Sequence, residues 1–156
     1  MSGRSGGLWV CAPEGPGARI LSRALDLYPG ARIDVAARHA DLRWCMQRAA
    51  YLVMPGRGED DAELQPMMLA FAEALPVIAS RNPAFAEHVE PGRNGLLFDP
   101  GSPRDLARRL AWADAFPERM RQMGQCAQAD YNARFVADWN WQRLYGERRR
   151  QARLNP

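Results

Sequence analysis

The chain has 156 residues, 47% hydrophobic and 25% charged, with a formal net charge of +3 and a pI near 9.0. These values lie near the globular average and argue against intrinsic disorder; the length fits one domain able to bury about 68–70% of its unfolded surface. No apolar stretch approaches the roughly 20 residues of a membrane span, and Met1 to Gly7 is too short and polar for a signal peptide, reading instead as a flexible leader.

In chain order, Gly7 to Ala12 reads as a buried strand ended by Pro13-Glu14-Gly15-Pro16-Gly17. From Ala18, apolar residues at Ile20, Leu21, Ala24, Leu25 and Leu27 have helical spacing, and Tyr28-Pro29-Gly30 stops the helix. Ala31 to Ala37 alternates Ile33 and Val35 with Arg32 and Asp34, a strand with one polar side. Asp41 to Ala49 gives a short helix, and Ala50 to Pro55 a strand apolar on both faces, as parallel strands covered by helices are. Beyond the polar loop Gly56 to Asp61, Leu64, Met67, Met68, Phe71, Ala72 and Leu75 form a helical stripe whose methionines read as core packing. Pro76 to Ala79 and Leu96 to Phe98 are buried strands a short helix apart, joined by the turn Glu90 to Gly95. Pro103 to Ala115, Pro117 to Phe135 and Asp138 to Arg153 read as helices, with Pro103 and Pro117 in first turns where the missing N–H costs nothing.

Strand and helix therefore alternate about five times before helices alone follow. The expected fold class is α/β: a Rossmann-like parallel sheet flanked by helices with right-handed crossovers, and a helical C-terminal segment. Expected boundaries are a leader over 1–7, the α/β domain over 8–135 and a C-terminal helix with a basic tail over 136–156. Cys11, Cys45 and Cys126 are odd in number and lack ligand-like spacing, so they read as small buried thiols in a reducing cytoplasm.

Three stretches carry a resemblance. They are Leu75-Pro76-Val77-Ile78-Ala79-Ser80, then Glu87-His88-Val89-Glu90-Pro91-Gly92-Arg93-Asn94-Gly95-Leu96-Leu97, then Pro100-Gly101-Ser102-Pro103-Arg104-Asp105-Leu106-Ala107. Each resembles a stretch of the C-terminal, donor-binding domain of retaining glycosyltransferases with the two-domain GT-B fold. That family commonly reads L-E-A-(M/L)-A-x-G-x-P-V-I-A-S, then P-E-(V/I)-V-x-(D/P)-G-x-N-G-(L/F)-L, then P-x-D-x-x-x-L-A. Cys45 to Gly56 resembles the family's strand ending in P-S, and Arg134 to Arg149 its final helices.

The resemblance implies a domain that cradles a UDP- or GDP-sugar and transfers a hexose, with the acceptor held by a separate domain absent from this chain. It implies no cofactor and no resident metal. Three local features of the family can be inspected here. The first is a Glu-x7-Glu pair, one carboxylate contacting the donor sugar and the other the ribose hydroxyls. Its positions fall on Asp61, a carboxylate one methylene shorter, and Leu69, which accepts no hydrogen bond. The pair is broken.

The second feature is a G-F-G turn at a helix N-terminus that receives diphosphate and sugar. Ala62-Glu63-Leu64 stands there, behind Glu59, Asp60 and Asp61. Four carboxylates repel a diphosphate, each contributing about 1 kcal/mol at 4 Å in bulk water. The same residues suit a plain helix start, with Asp60 as N-cap and Glu63 closing a capping box. The third feature is the family's first strand–helix unit, with its Gly-rich loop and basic residues. Leu8 to Ile20 aligns better with the family's second strand, so the first unit is expected to be missing, with Arg19, Arg57 and Arg81 the nearest cations to replace it.

The candidate site is thus Asp61 against the sugar, with Arg57, Glu63, Leu69, Ser80, Arg81, Asn82 and His39 lining the donor cleft. His39 follows a strand on the ligand-facing edge, and His88 reads as a partly buried, hydrogen-bonded residue. The alternative is a non-catalytic scaffold that has lost donor-site residues and holds a partner through Trp139, Trp141, Tyr145 and its arginines. Arg143, Arg148, Arg149, Arg150 and Arg153 leave three readings open: a solvated last helix, contact with an anionic membrane at the inner face, or nucleic acid. No aromatic-interleaved motif accompanies the charge, so nucleic acid is not expected as a partner. A dinucleotide fold has little support, because no G-x-G-x-x-G follows any strand.

Overall fold

The computed structural model describes residues 4–11, 16–37, 41–57 and 61–134. The elements are β1 (Gly7–Cys11), α1 (Pro16–Leu27), β2 (Ile33–Ala37), α2 (Leu42–Arg48), β3 (Tyr51–Met54), α3 (Asp61–Ala72), β4 (Val77–Ser80), α4 (Pro83–Ala86), β5 (Gly95–Phe98) and α5 (Pro103–Ala115). A further helical run over 117–134 is called α6. The five strands form one wholly parallel sheet in the order β2-β1-β3-β4-β5. Every residue of β3, β4 and β5 is buried, because helices cover both faces and a parallel strand there has no solvated side.

Successive strand side chains point to opposite faces, so one sheet feeds two cores. Leu8, Leu52, Ala79 and Leu97 meet Met46 of α2, Met67 and Phe71 of α3 and Phe85 of α4. Tyr51, Val53, Ile78 and Phe98 meet Leu21 of α1, Leu106 and Leu110 of α5 and Met120 of α6. In the second core the Tyr51 hydroxyl donates to Asp114 Oδ1 at 3.1 Å, and Tyr28 donates to Oδ2 of the same carboxylate, also at 3.1 Å. Burial, with the Asp114 charge beside it, raises the Tyr51 phenol far above its ordinary value.

The strand order corrects one expectation. In the doubly wound order 3-2-1-4-5-6 the first strand lies between the second and the fourth. Here β1 pairs with β2 on one side and directly with β3 on the other. It therefore holds the first-strand place, and what the five-strand sheet lacks is an outer strand beyond β2. Sequence matching misassigned β1 because short apolar strands are alike, whereas pairing is specific. Val35 also departs from its expectation. Alternation with Arg32 and Asp34 reads it as an inward residue, but it is 61% exposed on the edge strand.

Helix starts follow their signals. Asp41, Asn82 and Ser102 side chains accept from the backbone N–H three residues on, and α1, α4 and α5 each open on a proline. Helix α1 accordingly begins at Pro16, not Ala18, since proline's fixed φ suits a first turn. Pro66 inside α3 removes the helix bond to the Ala62 carbonyl.

The end of α3 is a Schellman turn. Leu75 N–H donates to Ala70 O at 2.8 Å and Ala74 N–H to Phe71 O at 3.1 Å, with Ala74 left-handed at φ 58°. Ala74 stands where the family pattern has glycine. The last carbonyls of α3 are taken by distant side chains: Gln128 donates to Ala72 O, and Arg4 to Glu73 O and Ala74 O. Helix α6 crosses beneath this turn from one core to the other, placing Met120 and Met123 in the second and Ala127 in the first. Gly124 makes the crossing possible, because a Cβ there would lie 2.1 Å from Ala74 O.

Candidate functional site at the carboxyl edge of the sheet

In an open parallel sheet, ligands bind beyond the carboxyl ends of the strands, where the strand order reverses. That point is between β1 and β3. Chain from β1 passes into α1 there, chain from β3 continues as Pro55-Gly56-Arg57, and β4 ends in Ser80 before Arg81-Asn82-Pro83. Two contacts tie these ends together. A Cβ on Gly17, at the start of α1, would lie 3.0 Å from Gly56 N and 3.1 Å from Pro55 C, so two backbones touch at the switch point. Asn82 Oδ1 accepts from Phe85 N at 2.9 Å to cap α4, while its Nδ2 faces Gly56 O at 3.5 Å.

Around this floor the sequence-derived residues divide. Ser80 is 4% exposed at the tip of β4. Arg81 N–H donates to Phe98 O at 2.8 Å, which holds the next backbone step in the extended sheet direction. The Arg81 guanidinium meets Asp99 at 3.1 Å, in a pair whose side chains are 50% and 64% exposed, worth little in energy. Arg57 is exposed beyond β3, Asp61 opens the 12-residue α3, and Glu63 lies in its first turn. Leu69 lies about two turns farther along α3 and packs against the first core, a use that suits leucine and takes it out of polar contact. Thus Ser80, Arg81, Asn82 and the Gly56 turn come together, while Leu69 packs against the first core. His39, the Asp60 end of the proposed capping box, Trp139, Trp141, Tyr145 and the terminal arginines lie outside the described residues.

The turn from Glu90 to Gly95, the strongest part of the resemblance, holds the sheet together. Asn94 is 5% exposed; its Oδ1 accepts from Glu90 N at 2.7 Å and its Nδ2 donates to His88 O at 2.9 Å. Gly92 has φ +83°, and a Cβ on Gly95 would lie 2.3 Å from Val77 O. Glycine is thus required once for its dihedral and once for close approach to β4. Sequence reasoning passed over Gly17, whose signal was Pro16-Gly17 at a helix start, and over Asn82 as a bridge between loops.

A family model described as glycosyl transferases group 1 matches residues 8–113, and the chain belongs to that family. No curated protein sequence matches it closely enough to count as a relative. Among solved structures, the Anabaena HepE protein in complex with UDP and glucose superposes with a TM-score of 0.72 at 20% identity, over 93% of this chain and 48% of that one. A glycosyltransferase from Rickettsia africae gives 0.71 at 11% identity, over 85% of this chain and 44% of that one. The catalytic domain of cholesterol-alpha-glucosyltransferase from Helicobacter pylori gives 0.69 at 12% identity, over 82% of this chain and 98% of that one. The fold is one Rossmann-like half of a GT-B enzyme, and the chain spans about half the length of HepE. Among the described residues no helix is long and apolar enough to cross a membrane.

Proposed function

We propose that this chain is the donor-side domain of a glycosyltransferase, holding a nucleotide-sugar at the carboxyl edge and transferring a hexose to an acceptor bound by a separate domain. The observation that carries the reading is the meeting of the start of α1, the Pro55-Gly56 turn and the turn after β4 at the β1–β3 switch point, through Gly17, Gly56 and Asn82. HepE, of the same fold, is in complex with UDP and glucose, which supports a UDP-sugar as the ligand. On this reading Asp61 contacts the sugar from the start of α3, where helix N–H groups favour an anion. Arg57 and Arg81 flank the phosphates, Ser80 and Asn82 line the cleft with backbone groups, and Glu63 and His39 border it. The first-strand place of β1 brings Arg19, exposed on the first turn of α1, to the same edge. Leu69 marks the lost carboxylate, so ribose recognition falls to backbone. Residues 8–135 form the donor domain, in the cytoplasm, and the arginines of 136–156 meet an anionic membrane face.

The packing of Leu69 against the core, with Ala62-Glu63-Leu64 in place of a Gly-rich turn, favours a second reading: a scaffold that binds a partner protein without turnover. Melting-temperature titrations with UDP, GDP and their sugars separate the two. A ligand at 100 times its Kd adds about 2.7 kcal/mol of stability, and Asp61→Asn should weaken the sugar nucleotides while leaving free UDP unchanged. Silence from every nucleotide, with and without an acceptor-domain chain, selects the scaffold.

A further inference from the structure

We propose that the cavity at the amino edge of β1, β2 and β3 is a second anion site, which takes the phosphate dianion of a phosphomonoester. It has a volume of about 300 Å³ and a strongly polar wall that includes Arg4, Arg32, Arg48, Asp34, Ser5 and Gln47. The strands run some five residues at about 3.3 Å each, so this end lies roughly 15 Å from the carboxyl edge. The two sites do not share a residue.

Three backbone hydrogen bonds fix the arginine-bearing segments to one another. Gly7 N–H donates to Arg32 O at 2.8 Å, Ala50 N–H to Gly6 O at 2.8 Å, and Ser5 N–H to Arg48 O at 3.2 Å. Gly6, at φ +72°, allows the close approach, because a Cβ there would lie 2.7 Å from Arg32 O. The site is therefore built on strand starts, not on a loose surface patch.

Its charge is uncommitted. The nearby Glu73 carboxylate is held by Arg43 at 2.6 Å and Gln47 at 3.4 Å, and Arg4 is anchored on the Glu73 and Ala74 carbonyls. Among the described residues neither Arg32 nor Arg48 is paired with a carboxylate; Arg48 lies over the Trp44 ring at 4.7 Å. Three guanidiniums against the one Asp34 carboxylate leave two positive charges. A phosphomonoester carries about −1.5 to −2 at neutral pH and offers three acceptor oxygens, which matches that excess and the fork geometry of arginine. Free phosphate esters and a phosphatidic acid headgroup share this chemistry.

The test uses the full chain. Glycerol-3-phosphate is titrated at constant ionic strength, following melting temperature and tryptophan emission. Flotation with phosphatidylcholine vesicles, with and without phosphatidic acid, forms the second arm. The expected result is a rise in melting temperature and an emission change that Trp44→Phe removes. Arg32→Ala and Arg48→Ala, both at exposed positions, should each weaken binding about tenfold or more, with nucleotide binding unchanged. Binding to phosphatidic acid vesicles alone, with the same arginine dependence, supports the site and assigns the lipid as its source. No response in either arm, or a response equal in wild type and both arginine variants, overturns it.

Discussion

The β4–β5 unit and α3 are neighbours in sequence and pack on the same core, yet they have kept different things. Between β4 and β5, residues that mark the family have a mechanical use: Asn94 closes the turn, Gly95 admits β4, and Val89 fills the core beneath beside Phe85. At α3, Leu69 has gone to packing and Ala62-Glu63-Leu64 replaces glycine. Residues that hold a fold are tied to many neighbours, whereas residues that hold a ligand are tied to that ligand. A sequence can therefore keep its family signature intact while its donor site drifts, and the signature alone does not report catalysis.

The comparison can be broken by substitution, and the largest effect is expected at Gly95. Gly95→Ala forces a Cβ against the Val77 carbonyl and should cost more than about 3 kcal/mol in urea unfolding. Asn94→Ala strands Glu90 N–H and His88 C=O in a buried turn and should cost about 2–4 kcal/mol in the same measurement.

Tyr51→Phe should cost about 1 kcal/mol at neutral pH and change the alkaline limb of the stability curve. At pH values below about 10 both folded and unfolded chains hold the phenolic proton. Above it the unfolded chain ionises while the buried phenol, its value raised, does not, so stability falls as pH climbs toward the folded value. The variant should show a shallower fall in melting temperature between pH 9 and 11; an unchanged slope would assign it to other groups.

Ala74→Gly should move the other way, relieving a left-handed alanine by about 1 kcal/mol. Arg81→Ala, on the mouth side, should change stability by less than about 0.5 kcal/mol, because its partner Asp99 is solvated. If Arg81→Ala proved as costly as Asn94→Ala, the division between frame and mouth would fail.

Much of the fold was legible in the sequence because apolar runs and proline or glycine stops are local signals. The five strands emerged from their apolar runs to within about two residues, and the caps at Asp41, Asn82 and Ser102 are written in residue type. What sequence misread was non-local. The place of β1 between β2 and β3 depends on which strands pair, and the exposure of Val35 on what covers the sheet at its edge; an apolar pentapeptide names neither. In the candidate site, Ser80, Arg81 and Asn82 were legible as the end of β4. The bridge from Asn82 to Gly56 spans 26 residues and the contact of Gly17 with Pro55 and Gly56 nearly 40, so neither leaves a pattern in the chain.

The seating of α6 on the α3–β4 turn has a practical meaning for anyone wishing to shorten the protein. Gly124 nests on Ala74, Gln128 reaches Ala72 O, and Asp130 receives the Arg93 guanidinium at 2.7 Å. Cutting the chain before residue 124 would strip all three ties at once and take Ala127 out of the first core. A trimmed version for crystallisation or labelling should therefore keep this buckle whole.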